Sequence, residues 1–111
     1  KIINLKIKGS GNETRAFNYI DDFVEGFMIM LKKGKHLNLY NIGTEEVISI
    51  KKLAQNISKI LRKKILIKSS PLKKGGTKKR LPDISKIKKM GFKQKITINQ
   101  GLIKTLYFYL R

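Results

Sequence analysis

The sequence predicts a small mixed α/β domain, and three observations lead there. Short apolar segments bounded by glycine, serine and asparagine read as strands. Longer segments repeat apolar residues at helical spacing behind capping residues. At 111 residues and 41% hydrophobic, the chain has material for a single modest core.

Ile2–Ile7 alternates weakly and is expected as a strand, ended by the turn cluster Gly9, Ser10, Gly11 and Asn12. Thr14–Ile20 is expected as a second short extended segment. Asp21 or Asp22 then caps a helix, where a carboxylate suits the positive end of the helix dipole. Phe23, Val24, Phe27, Met30 and Leu31 form its apolar stripe, and Lys32, Lys33 and Gly34 end it. Leu37, Leu39 and Ile42 predict a strand ending at Gly43. Ser49 caps the next helix, whose buried face is Ile50, Leu53, Ala54, Ile57, Ile60 and Leu61.

A brief strand is expected at Ile65–Ile67. Ser69–Arg80, with Pro71, the Gly75–Gly76 pair and a run of lysines, reads as a loop and the best candidate for a mobile segment. Asp83 caps a short helix carrying Ile84, Ile87 and Met90, closed by Gly91. Thr97 and Gln100 make a capping box that opens the last helix through Leu102, Leu106 and Leu110. Strands so few and short need a neighbouring surface to cover them. Phe17, Tyr19, Phe108 and Tyr109 are expected to pack on such a surface.

No apolar run reaches the roughly eighteen residues of a membrane span, and no secretory leader is visible. Cysteine is absent, which excludes disulfides and thiolate metal sites and suits a reducing, cytoplasmic setting. The chain starts at Lys1 and enters a strand at once, as a piece of a longer protein would.

Its 26 lysines and arginines against 7 acids give a net charge of +19, which by itself points to a polyanion. The arginines are only Arg15, Arg62, Arg80 and Arg111, however, and no aromatics interleave with the basic runs. Both facts argue against base or bidentate phosphate readout. The lysines are read as a solvated surface that adheres to polyanions at low salt.

Catalytic groups are scarce. Gly9-Ser10-Gly11 lacks the helix that must follow a dinucleotide-binding turn. His36 follows a helix-ending glycine, where a surface position is expected. Asp21, Asp22 and Glu25 share one helical turn without a second ligand cluster, so no metal is expected. No tyrosine has a lysine four residues on, and no nucleophile has a base; no catalytic residue is assigned. Arg15 is different. A lone arginine on an apolar segment is costly unless its guanidinium meets an anion. Either Asp21 or Asp22 pairs with it, or it forks phosphate oxygens of a ligand. Arg80, in the basic loop before Pro82 and Asp83, is the second candidate.

Three segments then carry a resemblance. GSGNETRAFNYIDDFVEGF (Gly9–Phe27), LNLYNIGTEEVISIKKLAQNI (Leu37–Ile57) and GGTKKRLPDISKIKKMGFKQKITINQGLIKTL (Gly75–Leu106) resemble, in order and spacing, the extended short-chain dehydrogenase/reductase family. These are NAD-dependent nucleotide-sugar epimerases and dehydratases. Lys95 departs from the family pattern, standing near its proline after the Gly91-Phe92 pair, and the run Lys73–Lys79 is unusually basic.

The resemblance implies that residues 1–111 form the smaller C-terminal substrate-binding lobe, packed on a Rossmann NAD-binding domain upstream. It implies a nucleotide-diphosphate sugar as ligand. Arg15 would contact the diphosphate, Arg80 would be the second contact, and Phe17 and Tyr19 would line the nucleotide pocket. Asp22, Asn41, Gly43 and Asp83 match positions read as structural. The parent enzyme would oxidise the sugar transiently to a keto intermediate and return the hydride, with NAD as the redox partner, and would be a homodimer. No specific nucleic acid and no membrane partner is expected, and the piece alone would be inactive. The alternatives from other classes are a small basic nucleic-acid-binding module or a truncated gene remnant.

Overall fold

The computed structural model describes residues 2–72 and 74–111; Lys1 and Lys73, the latter within the basic run Lys73–Lys79, lie outside the described residues. The elements in order are β1 (Ile2–Lys6), β2 (Thr14–Arg15), α1 (Ile20–Lys33), β3 (Ile48–Ser49), α2 (Ile50–Leu61), β4 (Lys64–Lys68), α3 (Ser85–Lys89) and α4 (Ile98–Leu110). They form two compact units, one from residues 1–15 and 48–80 and the other from 16–47 and 81–111.

In the first unit β1 pairs in parallel with β4, Ile3 opposite Ile65 and Leu5 opposite Ile67. The α2 helix supplies the crossover that a parallel pair requires, and it packs on β4. Ser49 starts α2 as expected, its hydroxyl accepting from the Lys52 N–H at 3.1 Å. Of the six residues expected on the helix's inner face, only Ala54 is buried and the others are half-buried. A two-stranded sheet is too narrow to cover a whole helix face. A second small sheet pairs β2 with β3 antiparallel, Thr14 opposite Ser49 and Arg15 opposite Ile48.

The Gly9–Gly11 turn is held by an anion of its own. Both glycines have positive φ, +94° and +96°, which side-chain-bearing residues rarely adopt. That geometry aims the Ser10 and Gly11 N–H groups at the Glu13 carboxylate, at 3.2 and 2.9 Å. A Cβ on Gly9 would sit 2.6 Å from the same carboxylate.

The second unit is helical and encloses Ile84, Ile87 and Phe92, with Ile29, Met30, Ile42 and Met90 against them. Gly26 lets α1 approach closely, since a Cβ there would lie 2.6 Å from Ile42 and 3.2 Å from Phe92. Gly91, at φ +105°, turns the chain out of α3, and the capping box of Thr97 and Gln100 opens α4 as the sequence predicts.

Several expectations fail here. Residues 37–43 form no strand: Leu37 has φ 58° and is 91% exposed, and Leu39 is 86% exposed. Alternating apolar residues make a strand only where another strand is available to pair. The partner of β2 is Ile48–Ser49, and only two of the seven residues Thr14–Ile20 are strand.

The α1 stripe is split: Phe23, Val24, Phe27 and Leu31 are exposed, and Met30 packs against the core. Periodicity identifies the helix but not the surface that covers it. Finally, Asp21 and Asp22 do not cap α1. Tyr19 stands at the N-cap without a side-chain bond, because Asp22 is occupied elsewhere.

Candidate substrate-binding site

Arg15 and Arg80 converge on one residue of the first unit, Thr77. Arg15 lies on β2, half-buried, and its Nη1 donates to the Thr14 carbonyl and its Nη2 to the Thr77 carbonyl, both at 2.7 Å. Arg80 Nε donates to the Thr77 hydroxyl at 2.7 Å. The main chain fixes both ends of this arrangement. Thr14 N–H donates to Lys78 O at 2.8 Å, and Arg80 N–H donates to Thr14 O at 3.3 Å.

Residues 77–80 therefore run beside β2, with Thr14 bridged in parallel to Lys79. The segment Ser69–Arg80, expected as a loose loop, is also stitched at its start by reciprocal N–H···O bonds between Gly9 and Ser70.

Within its unit Arg15 is held by carbonyl oxygens rather than by a carboxylate. Carbonyls orient a guanidinium without neutralising it. A guanidinium has five N–H donors, so among the described residues Arg15 keeps three and Arg80 four for another acceptor. The one acid of the first unit, Glu13, is 6% exposed and turned into its turn. Hydrogen bonds from the backbone N–H groups of Glu13 itself and Ser10 outweigh burial and hold its pKa below the ordinary value. No carboxylate of this unit competes for the two arginines. Chemically, the arrangement is a pre-oriented pair of forks for an anion of two or more oxygens, which phosphate chemistry fits.

The aromatic candidates belong to the second unit. Phe17 is 41% exposed. Tyr19 is half-buried and lies over Gly101 of α4, where a Cβ would be 3.1 Å from the ring, so it packs structurally. His36 is exposed, as expected.

Several residues organise the two units; Thr77, Asn18, Gln94 and Glu46 carried no signal in the sequence, whereas Asp22, Asn41 and Asp83 are among the positions the resemblance marks as structural. Thr77 acts through one carbonyl and one hydroxyl in a stretch of lysines. Asn18 has both amide atoms buried and without a hydrogen-bond partner among the described residues; its only mark is polarity within TRAFNYI. Asp22, 1% exposed, accepts from the N–H groups of Lys95 and Ile96 at 3.0–3.2 Å. Gln94 is a hub, accepting from the Thr44 hydroxyl and donating to Glu46 and to the Ile96 carbonyl. Glu46 also accepts from the Ile98 N–H at 3.0 Å. Asn41, Asp83 and Ser85 form a local clasp, Asn41 donating to the Asp83 carbonyl and Asp83 accepting from Ser85 N–H. That last bond lowers the Asp83 pKa.

A nicotinamide dinucleotide does not fit the described residues. Its pyrophosphate needs free N–H groups in a glycine turn that opens a helix. The glycine turn present here leads into β2, and its N–H groups already bind the Glu13 carboxylate.

The chain is similar to known proteins. The family described as GDP-mannose 4,6 dehydratase matches residues 3–105. The chain is 31% identical over 104 residues to a probable GDP-L-fucose synthase 1 of Oryza sativa subsp. japonica, covering 92% of this chain and 31% of that protein. It is 32% identical over 99 residues to UDP-glucuronic acid decarboxylase 4 of Arabidopsis thaliana, covering 88% of this chain and 22% of that one.

Among solved structures, it superposes on UDP-glucose 4-epimerase of Thermotoga maritima, crystallised with UDP-glucose. There the TM-score is 0.88 and the identity 26%, over 96% of this chain and 34% of that one. The UDP-glucuronic acid 4-epimerase of Bacillus cereus, with UDP-glucuronic acid and NAD, gives 0.80 and 31%, over 92% and 35%. The chain thus spans about a third or less of the length of these proteins.

Proposed function

The chain belongs to the GDP-mannose 4,6-dehydratase family of NAD-dependent nucleotide-sugar epimerases and dehydratases, and on that premise we propose that it is the lobe that grips the nucleoside-diphosphate sugar. Residues 1–111 would be the substrate-binding lobe of an enzyme whose NAD lies in a Rossmann domain elsewhere in the protein. In this reading the whole enzyme is a cytoplasmic homodimer.

The observation that carries the reading is the convergence of Arg15 and Arg80 on Thr77, with donors to spare and no competing carboxylate in their unit. Arg15, half-buried and clamped by two carbonyls, is the rigid fork for the diphosphate; exposed Arg80 is the adjustable one. NAD supplies the redox chemistry in such enzymes. The work of this lobe is positional, holding the diphosphate so that the sugar meets the reacting groups in one orientation.

Arg15→Ala in the protein that carries this chain is expected to weaken nucleoside-diphosphate-sugar binding by about 1.5–3 kcal/mol, the range for hydrogen bonds to charged groups. Titration calorimetry reads the change. Arg15→Lys should restore little of it, since an ammonium cannot span two oxygens in a plane. Unchanged affinity in Arg15→Ala would remove the diphosphate role. The 111-residue chain alone is expected to turn over no nucleotide sugar.

A further inference from the structure

The fold segregates the lysines. Segments 1–15 and 48–80, which make the first unit, hold sixteen of the 26 lysines and arginines and one of the 7 acids. That single carboxylate, Glu13, is buried against its own turn. The outer surface of this unit is therefore cationic without a counter-charge of its own. The second unit holds the other ten cations and six acids, and two of its lysines pair with acids, Lys88 with Glu45 and Lys95 with Glu25. A uniform enrichment in lysine would not leave one unit almost free of acid.

The charge has a face. Ile65 and Ile67 line a cavity of about 220 Å³ with Ala54, Gln55, Ser58 and Lys59 of α2, so that side of the β1–β4 pair looks at the helix. Strand alternation turns Lys64, Leu66 and Lys68 to the other side, together with their register partners Ile2, Asn4 and Lys6. Lys6, Lys64 and Lys68 are exposed, and Ile2 and Leu66 are 54% and 44% exposed. Lys6 and Lys68 stand directly opposite each other, about 4.8 Å apart along the hydrogen-bonding direction. Like charges so placed repel unless an anion lies over them.

We infer that this outward face of β1 and β4 docks on an anionic phospholipid surface. Three features favour a bilayer over a nucleic acid. Lysines suit a plane of phosphates that asks for charge and no geometry. Ile2 and Leu66 among the lysines match the boundary between headgroup and acyl chain, and have no counterpart on a phosphodiester backbone. The unit contains no aromatic residue, so it has nothing on which a base would stack. No helix among the described residues is long and apolar enough to cross a membrane, which leaves a peripheral contact. Such a contact departs from the expectation of no membrane partner. The inference does not depend on the nucleotide-sugar reading.

The test is co-sedimentation of the full chain with vesicles of phosphatidylcholine alone, or of phosphatidylcholine mixed with phosphatidylglycerol. Binding is expected to the mixed vesicles and not to the neutral ones. The triple variant Lys6→Glu, Lys64→Glu, Lys68→Glu should bind at least about tenfold more weakly. It should stay folded by circular dichroism, since all three side chains are exposed. The variant Lys32→Glu, Lys93→Glu, Lys104→Glu makes the same charge change in the second unit and should lose less than about threefold, because none of the three belongs to β1 or β4.

The double variant Ile2→Ser, Leu66→Ser should weaken vesicle binding while leaving any adhesion to oligonucleotides unchanged. Failure to bind the mixed vesicles would overturn the inference. So would equal losses in the two triple variants, or tighter binding to a DNA or RNA oligonucleotide at the same ionic strength.

Discussion

The two units are built from opposite inventories. The first has most of the charge, no aromatic residue and a single acid. The second has all nine aromatics and six of the seven acids. Their cohesion differs accordingly. The second closes over a core in which Ile87 and Phe92 are 0% and 2% exposed, and it buries a carboxylate, Asp22, to tie α1 to the chain entering α4. The first has as buried apolar side chains only Ile7, Ile48 and Ala54 among its described residues. It relies on main-chain ladders and on the Glu13 turn. Arg15 and Arg80 lie in the first unit and the packed apolar cluster in the second.

The sharpest way to break the comparison is to empty the second core. Phe92→Ala removes a fully buried ring and is expected to cost about 3–5 kcal/mol, read as a shift of the denaturant midpoint. The tyrosine signal reports the second unit alone, since the first has no aromatics. Far-ultraviolet dichroism reports both units. If the units are as distinct as their inventories, the tyrosine transition moves further than the dichroism. Coincident shifts would show one cooperative structure.

Next in size is Asp22→Ala, which leaves the Lys95 and Ile96 N–H groups without their charged acceptor. The expected loss is about 2–3 kcal/mol, with Asp22→Asn recovering part of it as a neutral acceptor. A negligible loss in the alanine variant would mean that the apolar core alone holds the second unit.

What the sequence made legible was local chemistry. The Ser49 cap, the Thr97–Gln100 box, the Gly91 turn and the oddity of Arg15 each follow from residues within a few positions of one another. Contacts closed over long separations stayed hidden. Arg15 meets Thr77 across 62 residues, and β2 finds its partner in Ile48–Ser49 rather than in the better-patterned Leu37–Ile42. Pairing depends on which segments the fold brings alongside, and alternation does not encode that. The segregation of charge escaped for the same reason. The basic unit is assembled from two segments with a mixed-charge stretch between them, so no window of sequence displays it.

The smallest expected effect tests the one acid of the basic unit. Hydrogen bonds from the N–H groups of Glu13 and Ser10 favour its ionised form, so the folded pKa lies below the ordinary 4.5. A depressed carboxylate pKa stabilises the fold fully above the unfolded value, and the contribution is lost as pH falls through the folded one. Glu13→Gln removes the charge but keeps an acceptor, so it should lower the melting temperature at neutral pH. That deficit should shrink as pH drops below 4.5, because the parent then loses the same charge. Lysine repulsion also grows on acidification, but it is common to both proteins and cancels in the difference. A deficit constant across the titration would mean that shape rather than charge holds the turn. Glu13 would then be an ordinary turn residue, and the contrast between the units would rest on their aromatics and lysines alone.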